Sequence, residues 1–346
     1  MNDLHKTPEQ LWQPPNAGKT PMDDYRRHIN KKFSQDLRTT QQLQKWSVRD
    51  PQNFWLDLYS YLKLVPALPK GLTKAYDDKV SMSSIPKWFE GLEMNYAENA
   101  MFDNPDPEAI ALVGIREGMD LEQEDGEVLT WRQFRERVRL TASALRHCGV
   151  KKGDRVGALV ATGIWAMVLF HAAASIGAIF TSISPELGLE GCVSRLQQVT
   201  PKILFADSDT VYKGKTVPII DKVKNILSRL EPRPQTFMVP ITSQQFDFFS
   251  IDDFLSRADS SEPLTFTRVP FNYPLMICYS SGTTGAPKCI VHQHGIILQV
   301  KKISAIHNST TPKDVILQYS STSWVVFYVM CKSYLQHLND SPHCRG

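Results

Sequence analysis

No apolar stretch in the 346 residues approaches the length of a membrane span; the densest, over 324–331, is far too short to cross a bilayer. The opening Met1-Asn2-Asp3-Leu4-His5-Lys6 has no apolar core of a secretory signal. Charge of one sign is lacking too. A net charge of +3 is too small to point to nucleic acid or an anionic membrane as a partner. Cys148, Cys192, Cys278, Cys289, Cys331 and Cys344 form no C-x-x-C and no metal spacing with histidine, which removes a zinc module and leaves metal ligands unassigned. Most of these thiols read as reduced core residues of an intracellular protein, and a cytoplasmic location is expected. Without a secretory route the acceptor pattern Asn308-Ser309-Thr310 carries no meaning. Internal repeats and strong low-complexity tracts are also missing.

What is present is an ordinary globular composition, 42% apolar and 22% charged. The length suits two domains, or one large α/β domain with an N-terminal extension. Residues 1–70 read as a helical preface. Asp50 and Pro51 supply a helix start, and Phe54, Trp55, Leu58, Tyr61, Leu62 and Val65 recur at helical spacing. From Val128 the pattern changes. Helices are predicted over 130–149, with Gly149 as the stop, over 165–176 and over 189–199. Short apolar strands are predicted over 155–160, 178–183 and 203–206. The stretch 209–261 is less regular, with a basic helix near 221–230. Alternation of this kind implies crossover units and a mostly parallel sheet covered on both faces. In such sheets ligands sit beyond the carboxyl ends of the strands.

An apolar run over 274–278 reads as one more buried strand, and it is followed by Tyr279-Ser280-Ser281-Gly282-Thr283-Thr284-Gly285-Ala286-Pro287-Lys288. Glycines let successive amides turn toward one anion, hydroxyls add short donors and Lys288 adds a mobile charge. That is the chemistry of a polyphosphate loop. A polar surface turn would explain the composition but not the order of strand, hydroxyls, spaced glycines and lysine. A Walker A loop fails, because Pro287 stands five places after Gly282 and Cys289 follows Lys288. A dinucleotide fingerprint fails because Gly282 and Gly285 lack a G-x-G start.

Ser280 through Lys288 resembles the phosphate loop of the adenylate-forming acyl-CoA synthetase superfamily. Trp88-Phe89-Glu90-Gly91 and Met94-Asn95-Tyr96-Ala97-Glu98-Asn99 resemble a segment of its acetyl-CoA and acetoacetyl-CoA synthetase branch. Gly149-Val150-Lys151-Lys152-Gly153-Asp154-Arg155-Val156 resembles the superfamily's turn into its first sheet strand. Residues 174–188, with Ser182-Ile183-Ser184-Pro185, are similar to acetoacetyl-CoA synthetases, as are Val211-Tyr212-Lys213-Gly214-Lys215 and Ala286 through His292. The resemblance covers roughly residues 50–324.

It implies an α/β fold, the N-terminal portion of the adenylate-forming large domain. The sheet would be mostly parallel with helices on both faces, but incomplete. A helical extension over 1–70 would precede an incomplete AMP-binding domain over 71–324 and a divergent tail over 325–346, with the small C-terminal domain absent. The implied reaction is a two-step ligation of acetoacetate to coenzyme A through an acyl-adenylate, using ATP and Mg2+. Ser280, Ser281, Gly282, Thr283, Thr284, Gly285 and Lys288 would hold the ATP phosphates, Arg195 would meet coenzyme A, and Trp324 would wall the acyl pocket. The family usually has glycine just before that tryptophan, where this chain has Ser323. His147, His171, His292 and His294 read as structural.

The catalytic lysine of the family's C-terminal domain has no counterpart, so the catalytic residue stays unassigned and the chain is expected to be inactive alone. An acetyl-CoA or other short-chain synthetase remains open, as does a nucleotide-binding fragment without turnover. A sheet cut short would also leave an open edge and an uncovered apolar face, and instability is expected.

Overall fold

The computed structural model describes residues 16, 18–102, 106–115, 126–212, 215–240, 247–280, 286–311, 314, 316–317 and 319–329. Its first elements are three helices, α1 (Pro21–Phe33), α2 (Thr40–Arg49) and α3 (Pro51–Tyr61), and each start is fixed by a capping side chain. Thr20 with Asp23 and Thr39 with Gln42 form reciprocal capping boxes, and Asp50 accepts from the Asn53 amide. Their buried faces, with Tyr25, Ile29, Leu43, Trp46, Leu58 and Tyr59, join the same apolar core as the sheet.

The segment Met94 to Asn99 is the clamp between these helices and the rest. It runs from the end of strand β1 (Glu93–Met94) into helix α4 (Tyr96–Met101). Buried Asn95 caps α4, its Oδ1 accepting from the Ala97 amide at 2.9 Å. Its Nδ2 donates to the carbonyls of Ala174 and Thr267, each at 2.8 Å. Asn99 bonds both backbone groups of Val65, accepting from its N–H at 2.8 Å and donating to its carbonyl at 2.7 Å. Two side-chain amides thus satisfy backbone groups from four separate stretches of chain.

A hairpin of β2 (Ile110–Gly114) and β3 (Glu127–Thr130) leads into α5 (Trp131–His147), which begins at a Thr130–Gln133 capping box. Beyond it Gly149 turns the chain at φ +79°, a left-handed conformation that suits glycine. The alternating run follows as β4 (Arg155–Leu159), α6 (Ile164–Ser175), β5 (Ile179–Ile183), α7 (Leu189–Val199) and β6 (Ile203–Asp207). Hairpin β7 (Asp209–Tyr212) and β8 (Lys215–Pro218) precedes α8 (Ile220–Leu227), β9 (Gln235–Val239), β10 (Phe249–Ser250) and α9 (Ile251–Leu255). Strand β11 (Val269–Pro270) pairs with β1, and then come β12 (Pro274–Tyr279), β13 (Cys289–Gln293) and α10 (Ile296–Lys301).

Among the described residues seven strands form one sheet in the order β10-β9-β6-β4-β5-β12-β13. Every neighbouring pair is parallel except β12 and β13. Successive side chains alternate between two covered faces. Val156, Phe180, Phe205 and Phe237 face the core shared with α5 and α6, while Leu159, Ile183, Leu204 and Met238 face α7 and α8. Helix α6 is buried on nearly all sides, as its mostly apolar sequence requires. The mostly parallel, doubly covered sheet expected from the sequence is present. Exposed apolar surface on the sheet is largely confined to its edges: on β13, Ile290 and Val291 are 45% and 50% exposed, and on β10 Phe249 is exposed. No described helix is long and apolar enough to cross a membrane.

Candidate functional site

From β4 the chain leaves through α6 on one face of the sheet; from the adjacent β6 it leaves toward α8 on the other. Connections that part in this way open a crevice beyond the strand ends. A cleft of about 920 Å³ lies there, lined by Val160, Thr162 and Trp165 after β4, Ser184 after β5, Asp207 and Asp209 at the end of β6, and Tyr319 to Ser321. The Asp207 carboxylate accepts from the Ala161 amide at 2.7 Å and joins the ends of β6 and β4. Lys222 of α8 donates to the carbonyls of Pro185 (2.7 Å) and Leu187, which pins the run after β5.

Hydroxyls stitch residues 320–323 across the same strand ends. Thr162 donates to the Ser320 carbonyl at 3.0 Å and Thr322 to the Val160 carbonyl at 2.7 Å. Buried Ser182 donates to the Thr322 carbonyl and accepts from the Tyr328 hydroxyl at 2.8 Å. Ser323, which stands where a glycine was expected, accepts from the Ser184 amide at 2.8 Å. Its hydroxyl therefore holds the Ser182-Ile183-Ser184-Pro185 run. Trp324 is 61% exposed and lies outside the lining of the cleft.

The candidate phosphate loop springs from the same carboxyl edge, since β12 lies beside β5. It joins two antiparallel neighbours, whose last register pair is Tyr279 with Cys289. Just beyond that pair the Ser280 amide donates to the Lys288 carbonyl, and the Lys288 amide donates to Ser280 Oγ, both at 3.0 Å. The first and last residues of the motif are thus doubly bonded, with the Lys288 side chain exposed. Ser281, Gly282, Thr283, Thr284 and Gly285 lie outside the described residues.

Arg195 is brought to this base. Half-buried on α7, its guanidinium lies 5.5 Å from the centroid of the Tyr279 ring, and Nη1 donates to the Gly191 carbonyl at 2.9 Å. Buried Thr181 donates to the Tyr279 hydroxyl at 2.9 Å, and that hydroxyl donates to the Arg195 carbonyl at 3.3 Å. Burial pushes the Tyr279 phenol well above its ordinary range, so it stays a donor. Sequence reasoning missed Tyr279, Thr181, Lys222 and the hydroxyl stitch. Only Tyr279 carried a signal, as the residue joining a buried strand to the loop.

The histidines act as structural groups. His147 and His171 bond the carbonyls of Ser143 (3.0 Å) and Met167 (2.7 Å), and buried His294 accepts from the Tyr96 amide at 3.1 Å. Half-buried His292 stands on β13, where burial lowers its pKa. Cys148, Cys192 and Cys278 are buried free thiols. Cys289 is exposed on the edge strand, 3.4 Å from the Gln198 side chain of α7.

Residues 100–336 match the family model described as AMP-binding enzyme. The chain belongs to the AMP-binding enzyme family. It is similar to the acetoacetyl-CoA synthetase of Danio rerio, 34% identical over 333 residues that make up 92% of this chain and 48% of that protein. It is 32% identical over 337 residues to malonamoyl-CoA synthetase vrtB of Penicillium aethiopicum, covering 46% of it. The solved acetoacetyl-CoA synthetase from Streptomyces lividans superposes with a TM-score of 0.86 at 27% identity, over 96% of this chain and 51% of that one. The chain spans about half the length of the curated relatives it matches. Its fold is the N-terminal part of the adenylate-forming enzyme fold, and its relatives place it among the adenylate-forming acyl-CoA ligases.

Proposed function

We propose that this chain carries the nucleotide-loop portion of an acid–CoA ligase acting on acetoacetate. The observation that carries this reading is the doubly bonded Ser280–Lys288 base at the carboxyl end of β12, one strand away from the cleft. A loop anchored at both ends can close on a polyphosphate while its base stays in register. Ser280, Ser281, Gly282, Thr283, Thr284 and Gly285 would supply hydroxyl and amide donors and Lys288 an ammonium. Positioning and charge neutralisation are the main demands of nucleotidyl transfer. The acid's carboxylate would attack the α-phosphate, releasing pyrophosphate, and the coenzyme A thiol would then displace AMP. Arg195 would take a coenzyme A phosphate, whereas Trp324, exposed and outside the cleft lining, is assigned no contact with the acyl group. Among the described residues no three His, Cys, Asp or Glu side chains converge as a metal site. Magnesium would be held by the nucleotide's own oxygens, where it would neutralise charge.

The loop and its base are proposed to bind nucleotide, and no catalytic residue is assigned among the described residues. A second acyl substrate is supported by the malonamoyl-CoA synthetase relative at 32% identity. Malonamate and acetoacetate are both 3-carbonyl acids and differ only in an amino or methyl group on that carbonyl. The residues that would read this difference are not assigned. Pyrophosphate release by purified folded protein with ATP and each acid, with Lys288→Ala as control, tests the reading. Release that depends on acid and on Lys288 would show that the chain adenylates by itself. Absence of both release and ATP binding would refute the nucleotide-loop assignment.

A further inference from the structure

We propose that Lys302 is a modification site, an amine that takes an acyl group from a thioester. The site is independent of the nucleotide loop and of the cleft.

Helix α10 does not end as an α-helix. From Lys302 to His307 the chain continues as a π-helical turn, a form that is rare and frequent at functional sites. This wider turn, bonded from i to i+5, sets Lys302 and His307 on one side of the chain, while Ser304 and Ile306 are buried. Lys302 is half-buried, and its Nζ lies 5.2 Å from the centroid of the Trp55 ring on α3. Trp55 meets Phe54 at 4.9 Å and Trp88 at 5.5 Å, so the amine rests on an aromatic wall. No carboxylate among the described residues is paired with it.

An ordinary lysine is a poor nucleophile at neutral pH, because its ammonium has no lone pair. Two effects compete at Lys302. The ring face attracts the ammonium, whereas burial strips it of water. Burial wins, and the pKa of Lys302 falls below its ordinary value. A larger share of the side chain is then free amine, the form that attacks carbonyl carbon. His307 supplies a proton acceptor. Burial and the Lys302 charge lower its pKa, so its imidazole is neutral at neutral pH.

The step balances without a redox partner. The Nζ lone pair attacks the thioester carbon, an N–C bond forms and the C–S bond breaks. Sulfur leaves as thiolate, and the proton released by nitrogen passes through His307 to it, giving an amide and a thiol. The amide carries no charge, so the cation–π contact with Trp55 would be lost and the link between α3 and the segment after β13 loosened.

The test is site-resolved mass spectrometry of folded wild-type protein incubated at neutral pH with S-acetyl-N-acetylcysteamine, a thioester without a nucleotide. The same reaction in urea is the control. Exposed Lys45 and Lys79 serve as internal references. Lys302 should gain acetyl about fivefold faster than either, an effect within reach of amine burial, and the advantage should vanish in urea. His307→Gln, shown by circular dichroism to be folded, should slow Lys302 by about threefold and leave the references unchanged. Lys302 labelled no faster than Lys45 and Lys79 in folded protein overturns the proposal. So does an advantage that survives urea, or an unchanged Lys302 rate in folded His307→Gln.

Discussion

Asn95→Ala should be among the most damaging single substitutions in the described part of the chain. The side chain is fully buried and serves three backbone groups, the Ala97 amide at 2.9 Å and the carbonyls of Ala174 and Thr267 at 2.8 Å. Alanine removes all three partners in a place too crowded for water to replace them at once. Each orphaned buried group costs about 1–3 kcal/mol, and loss of the α4 cap alone about 1 kcal/mol. The groups share one side chain, so the penalties are not additive, and a total of about 4 kcal/mol is expected. Against a typical stability of about 5–15 kcal/mol that is a large fraction. Asn95→Asp offers a sharper comparison. It keeps the cap but turns a carboxylate oxygen toward two carbonyls, so it should be no milder than alanine. Asn95→Ser, which keeps the capping oxygen without a charge, should fall between wild type and alanine. Urea unfolding followed by tryptophan fluorescence gives the midpoints, with a constant m-value showing that the denatured state is unchanged. An aspartate variant as stable as wild type would falsify the view that the amide's two donated bonds hold α6 and the 267 strand approach together.

Lys288→Ala should weaken ATP binding by roughly tenfold, the order expected for a lost charge-assisted contact, without lowering the thermal midpoint. The closure to Ser280 uses only the backbone of Lys288, so a matching loss of stability would contradict that geometry. Gly295→Ala should cost about 1–3 kcal/mol, because its Cβ would lie 2.1 Å from the Phe271 ring, which is itself wedged 4.7 Å from Phe89. Shrinking the obstacle by Phe271→Leu in the Gly295→Ala background should recover part of the loss in a melting experiment. Burial lowers the pKa of His292 and His307 below the ordinary 6.5. The unfolded chain therefore takes up these protons first, and stability should decline as pH falls from about 6.5 toward 5. The double variant His292→Gln, His307→Gln should flatten that decline in urea titrations, and an unchanged slope would show that neither histidine is the cause.

Much of the fold could be read from local chemistry. Helix α5 begins at Thr130, where a capping box starts, and stops before Gly149, which needs a left-handed backbone; both signals are written in single residues. Helix α7 was readable at both ends for the same reason that its apolar face recurs at helical spacing. Strand β9 was not. Its Phe237, Met238 and Val239 follow two prolines and two polar residues, and only burial between β6 and β10 makes them a strand. Strand β13 went unassigned because its half-exposed Ile290 and Val291 resemble a loop exit until β12 supplies hydrogen bonds. At the site, the structure describes only the ends of the loop motif, where Ser280 and Lys288 bond to each other. The meeting of Arg195 with Tyr279 was not legible, since they are 84 residues apart and joined only by the crossover that lays α7 beside β12.

The reversal of direction at β13 has an electrostatic consequence. A Walker-type loop runs straight into a helix, whose first amides and dipole lay a fixed positive field on the phosphates. Here a strand leaves the loop and carries the chain back along the sheet, so α10 begins at the opposite end, beyond the partner of Pro274. No helix follows the loop directly to set its own dipole behind the anion. On the proposed function the neutralising work would fall to the Lys288 ammonium, a few hydroxyls and the ion that travels with the nucleotide, all of them charges or contacts that the surrounding electrolyte can weaken over about 8 Å. On that function the strength of the grip would depend on the medium as well as on the fold, and the departure of pyrophosphate would be timed by the lifetime of a few side-chain contacts.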